Sequence, residues 1–94
     1  MEKQKIRAAL VAVIGQVQAL SGRPCPDVSD STKPIGDIEG FDSLLAVEAT
    51  VMLEQALGCT LDDGVPFVSA DGKTALKVAQ IIDRVIEMIT TRAA

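Results

Sequence analysis

The pair Asp42-Ser43 stands directly in front of a long apolar segment and holds the residues of this sequence best suited to chemistry. A serine in this position can be the residue on which a reaction takes place, or it can cap a helix by accepting a hydrogen bond from a backbone N–H. Catalysis by the serine itself would need a neighbouring base. The chain contains no histidine and no Gly-x-Ser-x-Gly turn, so a self-sufficient serine hydrolase is strongly disfavoured. Capping and a chemical role remain the two interpretations of Ser43.

Other residues with ligand-binding chemistry do not complete a known motif. Cys25 and Cys59 form no Cys-x-x-Cys spacing, and without histidine we expect no metal site of the zinc type. Gly72-Lys73-Thr74 resembles the end of a phosphate-binding loop, but that pattern requires a glycine where this chain has Phe67. We therefore interpret Gly72-Lys73-Thr74 as the entry to the last helix.

Composition and charge predict one small helical domain. The chain has 94 residues, of which 48% are hydrophobic and only two are aromatic, so aliphatic residues must build the core. The net charge of −4 argues against nucleic acid as a partner, because phosphate binding needs a surplus of Lys and Arg. The N-terminus has some features of a secretory signal, but Gln16 and Gln18 interrupt its apolar run. No segment approaches the ~20 apolar residues that span a bilayer, which predicts no membrane span and a cytoplasmic location.

The elements that lead to Ser43 are a helix and a long loop. The first helix is predicted from about Lys3 to Leu20, and its buried stripe is predicted to comprise Ile6, Leu10, Val13, Ile14, Val17 and Leu20. Residues 21–41 show no periodicity and contain three prolines and three glycines. A loop of this length in a compact domain is usually functional or disordered. We expect Phe41 to pin the end of the loop to the core.

The helix predicted over residues 43–57 is apolar on more than one side. Gly58 is a suitable terminator, because glycine tolerates the left-handed backbone that ends many helices. One stripe is predicted to face the core and comprises Ala46, Ala49, Leu53 and Leu57. A second stripe, formed by Leu44, Val47 and Val51, would lie near the outer face. A partner-binding surface beside Ser43 is the economical explanation of this second stripe.

The C-terminal part is predicted to contain a short turn at residues 65–69, for which one helical turn is considered, and a last helix over residues 74–90. The predicted core face of that helix comprises Ala75, Val78, Ala79, Ile82, Val85, Ile86 and Ile89. Three main helices, one short one and no convincing strand predict an all-α fold, a small four-helix bundle within one domain over residues 1–94.

The segment GFDSLLAVEA, residues 40–49, resembles the prosthetic-group attachment motif of the acyl carrier proteins, whose core is Asp-Ser-Leu at the start of the second helix. The order of the predicted elements is similar too, so the resemblance covers residues 3–91. It implies that a phosphopantetheinyl transferase joins 4′-phosphopantetheine from coenzyme A to Ser43, and that the terminal thiol then carries acyl groups as thioesters. It also implies that Asp42 assists the magnesium ion of the transferase and that Leu44 lies beside the attached group.

A helix N-terminus suits this modification, because its unpaired N–H groups and positive dipole end favour a phosphodiester on the first residue. The resemblance further implies that acyl-loading and acyl-processing enzymes recognise and bind the surface next to Ser43. We expect that surface to comprise Leu44, Leu45, Val47, Glu48, Val51 and Met52.

One departure from the family pattern bears on the cargo. Members commonly have an acid directly after Asp-Ser-Leu, where this chain has Leu45, and the acids within the helix are limited to Glu48 and Glu54. A specialised pathway for acyl or aminoacyl groups, such as polyketide synthesis, therefore fits as well as fatty acid biosynthesis. The short flanks around the predicted helices favour a free-standing, monomeric carrier. The alternative is a non-catalytic adaptor with the carrier fold and an unmodified Ser43.

Overall fold

Four α-helices make up the regular secondary structure of the residues that this computed structural model describes, which are 2–25, 27–61, 64–69 and 71–93. They are α1 (Lys3–Leu20), α2 (Pro34–Asp37), α3 (Ser43–Leu57) and α4 (Val78–Ala93). Helix α1 packs against both α3 and α4. Within these ranges no strand forms, so the predicted all-α class, a small four-helix bundle of the acyl-carrier type, is confirmed.

Helix α1 buries a stripe of aliphatic side chains against α3 and α4. Five of the six stripe residues predicted for this helix are buried, namely Ile6, Leu10, Val13, Ile14 and Val17. The prediction for Leu20 is wrong, because its side chain is 75% exposed. In the last turn of α1 the buried position belongs instead to Gln18, which donates hydrogen bonds to backbone carbonyls of the following loop. No helix of the described chain is long and apolar enough to cross a membrane.

Helix α3 contributes a stripe of buried side chains to the core and packs against α1. All four residues of its predicted core stripe are buried: Ala46, Ala49, Leu53 and Leu57. Gly58 follows with a φ of 70°, and its N–H donates to the carbonyl of Glu54. This left-handed residue ends the helix, since a side chain with a Cβ atom would be strained there.

The connection between α1 and α3 contains more structure than its sequence predicts. Helix α2 is a single irregular turn within it, in which Ile35 and Gly36 depart from helical backbone angles. Arg7 of α1 forms an ion pair with Asp30 of the connection at 2.9 Å. At its end Phe41 is 4% exposed and lies against Phe67, with 5.5 Å between the ring centroids. The connection is therefore packed on the helices, and Phe41 pins its end to the core as expected.

Residues 67–76 fold back on themselves instead of forming a helix. The N–H of Leu76 donates to the carbonyl of Phe67 at 3.0 Å, and a bridge pairs Val68 with Ala75. The short helical turn considered for residues 65–69 is thus replaced by a turn followed by this bridge. Thr74 lies in a bend and Ala75 is held in this bridge, so α4 begins at Val78 and not at the predicted Thr74.

The first N–H groups of α4 find their acceptors in the connection between α1 and α3. Val78 donates to the carbonyl of Thr32 at 2.8 Å, and Ala79 donates to the carbonyl of Asp30 at 3.0 Å. The side chain of Gln80 accepts the N–H of Lys77 at 2.9 Å. These three bonds satisfy donors that every helix start leaves unpaired.

The core face of α4 differs in part from the predicted face. Val78, Ile82 and Val85 are buried as expected, whereas Ala79 is exposed and Ala75 lies outside the helix. Ile86 and Ile89 are half-buried at the edge of the core. Two buried residues, Ile81 and Met88, were not predicted.

Candidate functional site

The start of α3 is capped by Asp42 and not by Ser43. The Asp42 Oδ1 atom accepts hydrogen bonds from the N–H groups of Leu44, at 3.1 Å, and Leu45, at 3.0 Å. The Asp42 carbonyl then accepts the N–H of Ala46 at 2.9 Å, which is the first bond of the helix. The capping role that the sequence leaves open for Ser43 thus belongs to its neighbour.

Ser43 occupies the first position within α3, and its side chain is exposed. Across the described residues its hydroxyl has no hydrogen-bond partner, and none of them acts on it as a base or an oxyanion donor. An exposed hydroxyl without a structural task can be reached by another enzyme. It is not activated for catalysis by the protein itself.

The expectation of unpaired N–H groups at this helix start needs correction. Two of them, those of Leu44 and Leu45, are already bound by the Asp42 carboxylate. The positive dipole end still favours a negative group near Ser43, but the Asp42 charge offsets part of that attraction. A phosphodiester on Ser43 would therefore be held by its covalent bond to the hydroxyl and not by a backbone cradle. The exposed Ser43 fits such an attachment, because a covalent group needs access more than it needs a pocket.

The segment that precedes Ser43 is held in one conformation by close packing. Gly40 has a φ of 78°, and a Cβ atom built there would lie 2.5 Å from side-chain atoms of Arg23. The positive φ would strain a residue with a Cβ atom, and the Arg23 side chain would also have to move. The Phe41 N–H donates to the Ile38 carbonyl at 3.1 Å, and the Phe41 ring is buried in the core. Rigid residues therefore lead into a serine that is itself exposed.

Four of the six residues expected to meet partner enzymes are exposed in the structure. Three of them are apolar, with exposed fractions of 78% for Leu44, 52% for Val47 and 49% for Val51. The fourth, Glu48, is a charged residue of the same helix. The remaining two, Leu45 and Met52, are half-buried and pack against the core. We define the exposed apolar residues Leu44, Val47 and Val51 as the α3 stripe.

Glu54, which the sequence groups with Glu48, has a structural contact. Its Oε2 atom accepts the N–H of Leu61 at 2.6 Å, and the residue is half-buried. Among the described acidic groups, a clear shift is resolved for Asp71, whose pKa is lowered by hydrogen bonds from the Ser69 hydroxyl and the Lys73 N–H. Asp71 belongs to the turn before α4 and is not one of the residues predicted for the site.

Gln18 and Arg23 contribute to the site although the sequence analysis did not select them. Gln18 bonds the carbonyl of Glu39, and Arg23 packs on Gly40. The sequence contained a signal for Gln18, because it follows Ile14 by four residues and so lies on the buried face of α1. A glutamine at such a position must find polar partners.

The described residues contain no group of three or more side chains that could hold a metal ion. Comparison with known families gives a match to the family described as phosphopantetheine attachment site, over residues 6–65. The match includes Ser43 and extends from α1 past the end of α3. The chain belongs to this family. It is a phosphopantetheine carrier domain, whose cofactor is covalently attached 4′-phosphopantetheine, and such domains carry intermediates for partner synthase and processing enzymes without being catalysts themselves.

A curated relative from Mycobacterium marinum is named phenolphthiocerol synthesis polyketide synthase type I Pks15/1. It is 38% identical to this chain over 85 residues, which are 90% of this chain. The chain spans only 4% of the length of that relative. No solved structure gives a significant match.

Proposed function

We propose that Ser43 is the residue that receives the 4′-phosphopantetheine group, and that the domain presents acyl intermediates as thioesters on this arm to partner enzymes. The observation that carries the proposal is that Asp42 and Ser43 have different roles at the start of α3. Asp42 caps the helix, so the Ser43 hydroxyl is exposed and has no structural hydrogen bond among the described residues. The terminal thiol of the group supplies the thioester chemistry.

The attachment reaction requires a second protein, which we infer to be a phosphopantetheinyl transferase. The Ser43 Oγ atom forms a bond to phosphorus while the phosphoanhydride bond of coenzyme A breaks, and adenosine 3′,5′-bisphosphate leaves. The hydroxyl proton must pass to a base. Since none of the described residues places a base on Ser43, we infer that the transferase supplies it. The Asp42 Oδ2 atom makes no hydrogen bond within the described structure, so it is open to a magnesium ion held by the transferase.

The cargo we propose is an acyl chain of the polyketide type. The name of the Mycobacterium marinum relative supports this class, as does the apolar Leu45 at a position where many carriers have an acid. The α3 stripe beside Ser43 offers apolar anchors to acyl-loading and acyl-processing enzymes. We expect the domain to be a cytoplasmic monomer that meets these enzymes one at a time.

The test is a loading reaction followed by intact-mass measurement. The unmodified protein is incubated with coenzyme A, magnesium and a broad-specificity phosphopantetheinyl transferase. The wild type should gain the mass of one phosphopantetheine group, and Ser43→Ala should gain nothing. Ser31→Ala, which alters another exposed serine, serves as the matched control and should load like the wild type.

If the wild type stays unmodified with several transferases, the carrier function proposed for Ser43 is wrong. The adaptor interpretation would then be preferred. Loading of Ser43→Ala at another residue, located by peptide mapping, would equally contradict the assignment of Ser43.

A further inference from the structure

Gln18 is a polar residue in an otherwise apolar stripe, and it is fully buried. Its side chain is 0% exposed at the C-terminal end of α1. The Nε2 atom donates to the Glu39 carbonyl at 3.0 Å and lies 3.4 Å from the Pro24 carbonyl. Pro24 is near the beginning of the connection between α1 and α3, and Glu39 is near its end. One amide group thus joins both ends of the connection.

Two further contacts, both made by Arg23, join α1 to the two ends of the connection. The Arg23 N–H donates to the backbone carbonyl of Gln18 at 2.9 Å. The Arg23 side chain then lies beside Gly40, so a Cβ atom added to Gly40 would require the Arg23 side chain to shift. We call this arrangement of Gln18, Arg23, Pro24, Glu39 and Gly40 the loop clasp.

The buried amide carries a cost that an apolar residue would avoid. The Oε1 atom of Gln18 is buried and has no hydrogen-bond partner in the described part of the chain. Burying an unsatisfied polar atom is unfavourable, and a leucine or methionine would fill this position on α1 without that penalty. The Nε2 bond to Glu39 is therefore the feature that an apolar residue could not reproduce.

We infer that Gln18 is a positioning residue for Ser43. It does not contact the serine, but it fixes the Glu39 carbonyl, and only the rigid segment from Gly40 to Asp42 separates Glu39 from Ser43. This inference rests on the proposed function, since it concerns how the attachment site is presented to the transferase. Without the clasp, only a fraction of molecules would hold the segment in the geometry that the transferase binds.

The experiment uses Gln18→Met, which keeps an unbranched side chain of similar size and removes the donor. Loading kinetics are measured against the concentration of the carrier, with coenzyme A in excess. We expect the KM for the carrier to rise about fivefold to tenfold, because apparent affinity falls with the fraction of binding-competent molecules. The kcat should change by less than about twofold, because the bound complex restores the geometry.

The control separates positioning from general destabilisation. Ile6→Val and Leu10→Ala alter buried residues of α1 that lie about two or more helical turns before Gln18, and the one whose Tm is closer to that of Gln18→Met is used. It should keep the wild-type KM. An equal rise in KM in this control would show that lost stability, and not lost positioning, slows loading.

Amide hydrogen exchange on the unmodified protein gives a second readout that needs no transferase. In Gln18→Met the Phe41 amide, which bonds the Ile38 carbonyl, should exchange faster than in the control. Unchanged KM together with unchanged exchange at Phe41 would overturn the inference. If the wild type is never loaded, the proposed function fails on its own, while the exchange measurement still decides whether Gln18 holds the segment.

Discussion

Replacing Asp42 and Ser43 in turn should separate the stability of the domain from its modification. Asp42→Ala removes an Oδ1 atom that accepts two backbone N–H groups, from Leu44 and Leu45. Loss of a helix cap costs about 0.5–2 kcal/mol, typically ~1. For a domain of this size about 1 kcal/mol corresponds to a fall in Tm of roughly 4–8 °C. Asp42→Ala should therefore lower the Tm by about that amount.

Ser43→Ala should leave the stability almost unchanged. The serine side chain is exposed and makes no hydrogen bond in the described structure, and surface changes of this kind stay within about 0.5 kcal/mol. Alanine is also the better helix former, which reduces the effect further. The expected change in Tm is at most about 2–4 °C, in either direction. The same variant should lose all loading.

Asp42→Asn refines the comparison, because asparagine caps helices about as well as aspartate but has no charge to interact with the helix dipole. Its stability should lie between those of the wild type and Asp42→Ala, and its deficit should shrink as salt rises. Thermal and urea unfolding of the unmodified proteins, followed by circular dichroism, measure all three variants. A Tm loss for Ser43→Ala that equals or exceeds that of Asp42→Ala would refute the assignment of the cap.

Two further predictions concern helix α3. Leu53→Ala should destabilise the domain by ~2–5 kcal/mol, whereas Leu44→Ala should change the unfolding free energy by less than about 0.5 kcal/mol, because Leu53 is 0% exposed and Leu44 is 78% exposed. Urea denaturation measures both variants, and similar losses would show that the helix register is wrong. Binding of the cognate partner enzyme should depend weakly on salt, and Leu44→Ala or Val47→Ala should weaken it more than Glu48→Gln, since desolvated apolar anchors dominate interfaces while exposed charges contribute little. A titration at low and high ionic strength checks this, and a steep salt dependence with the largest loss in Glu48→Gln would mean that recognition is electrostatic.

The features that the sequence predicted well depend on residues close together in the chain. Five of the six buried positions of α1 and four of the five of α3 follow from the helical spacing of apolar residues, which needs no knowledge of the rest of the fold. Gly58 marks the end of α3 by its own backbone freedom. The all-α class could be predicted because these local patterns leave little room for strands.

The features that the sequence did not reveal depend on contacts between distant segments. Thr74 is an ordinary start for a helix, but its neighbour Ala75 pairs with Val68, and this pairing delays α4 to Val78. Helical spacing places Gln18 on the buried face of α1, but its hydrogen-bond acceptor, the Glu39 carbonyl, lies 21 residues further along the chain and could not be predicted.

At the site itself, the two adjacent residues Asp42 and Ser43 are both good caps, and local preference does not choose between them. The structure shows that the chain becomes helical at Ser43, which places the capping oxygen on Asp42. A difference of one residue thus decides which side chain is used for structure and which is exposed.

The hydrogen bonds from α4 to the carbonyls of Asp30 and Thr32 bear on the order in which the domain can fold during synthesis. A ribosome produces the connection between α1 and α3 well before α4, so these hydrogen bonds cannot form until α4 has been synthesised. An isolated helix of the 16 residues in α4 is only marginally stable in water and gains its stability by docking. The segment that leads to Ser43 thus gains these contacts only when the last helix of the domain has emerged. A transferase that requires the folded segment would act on the finished domain and not on the nascent chain.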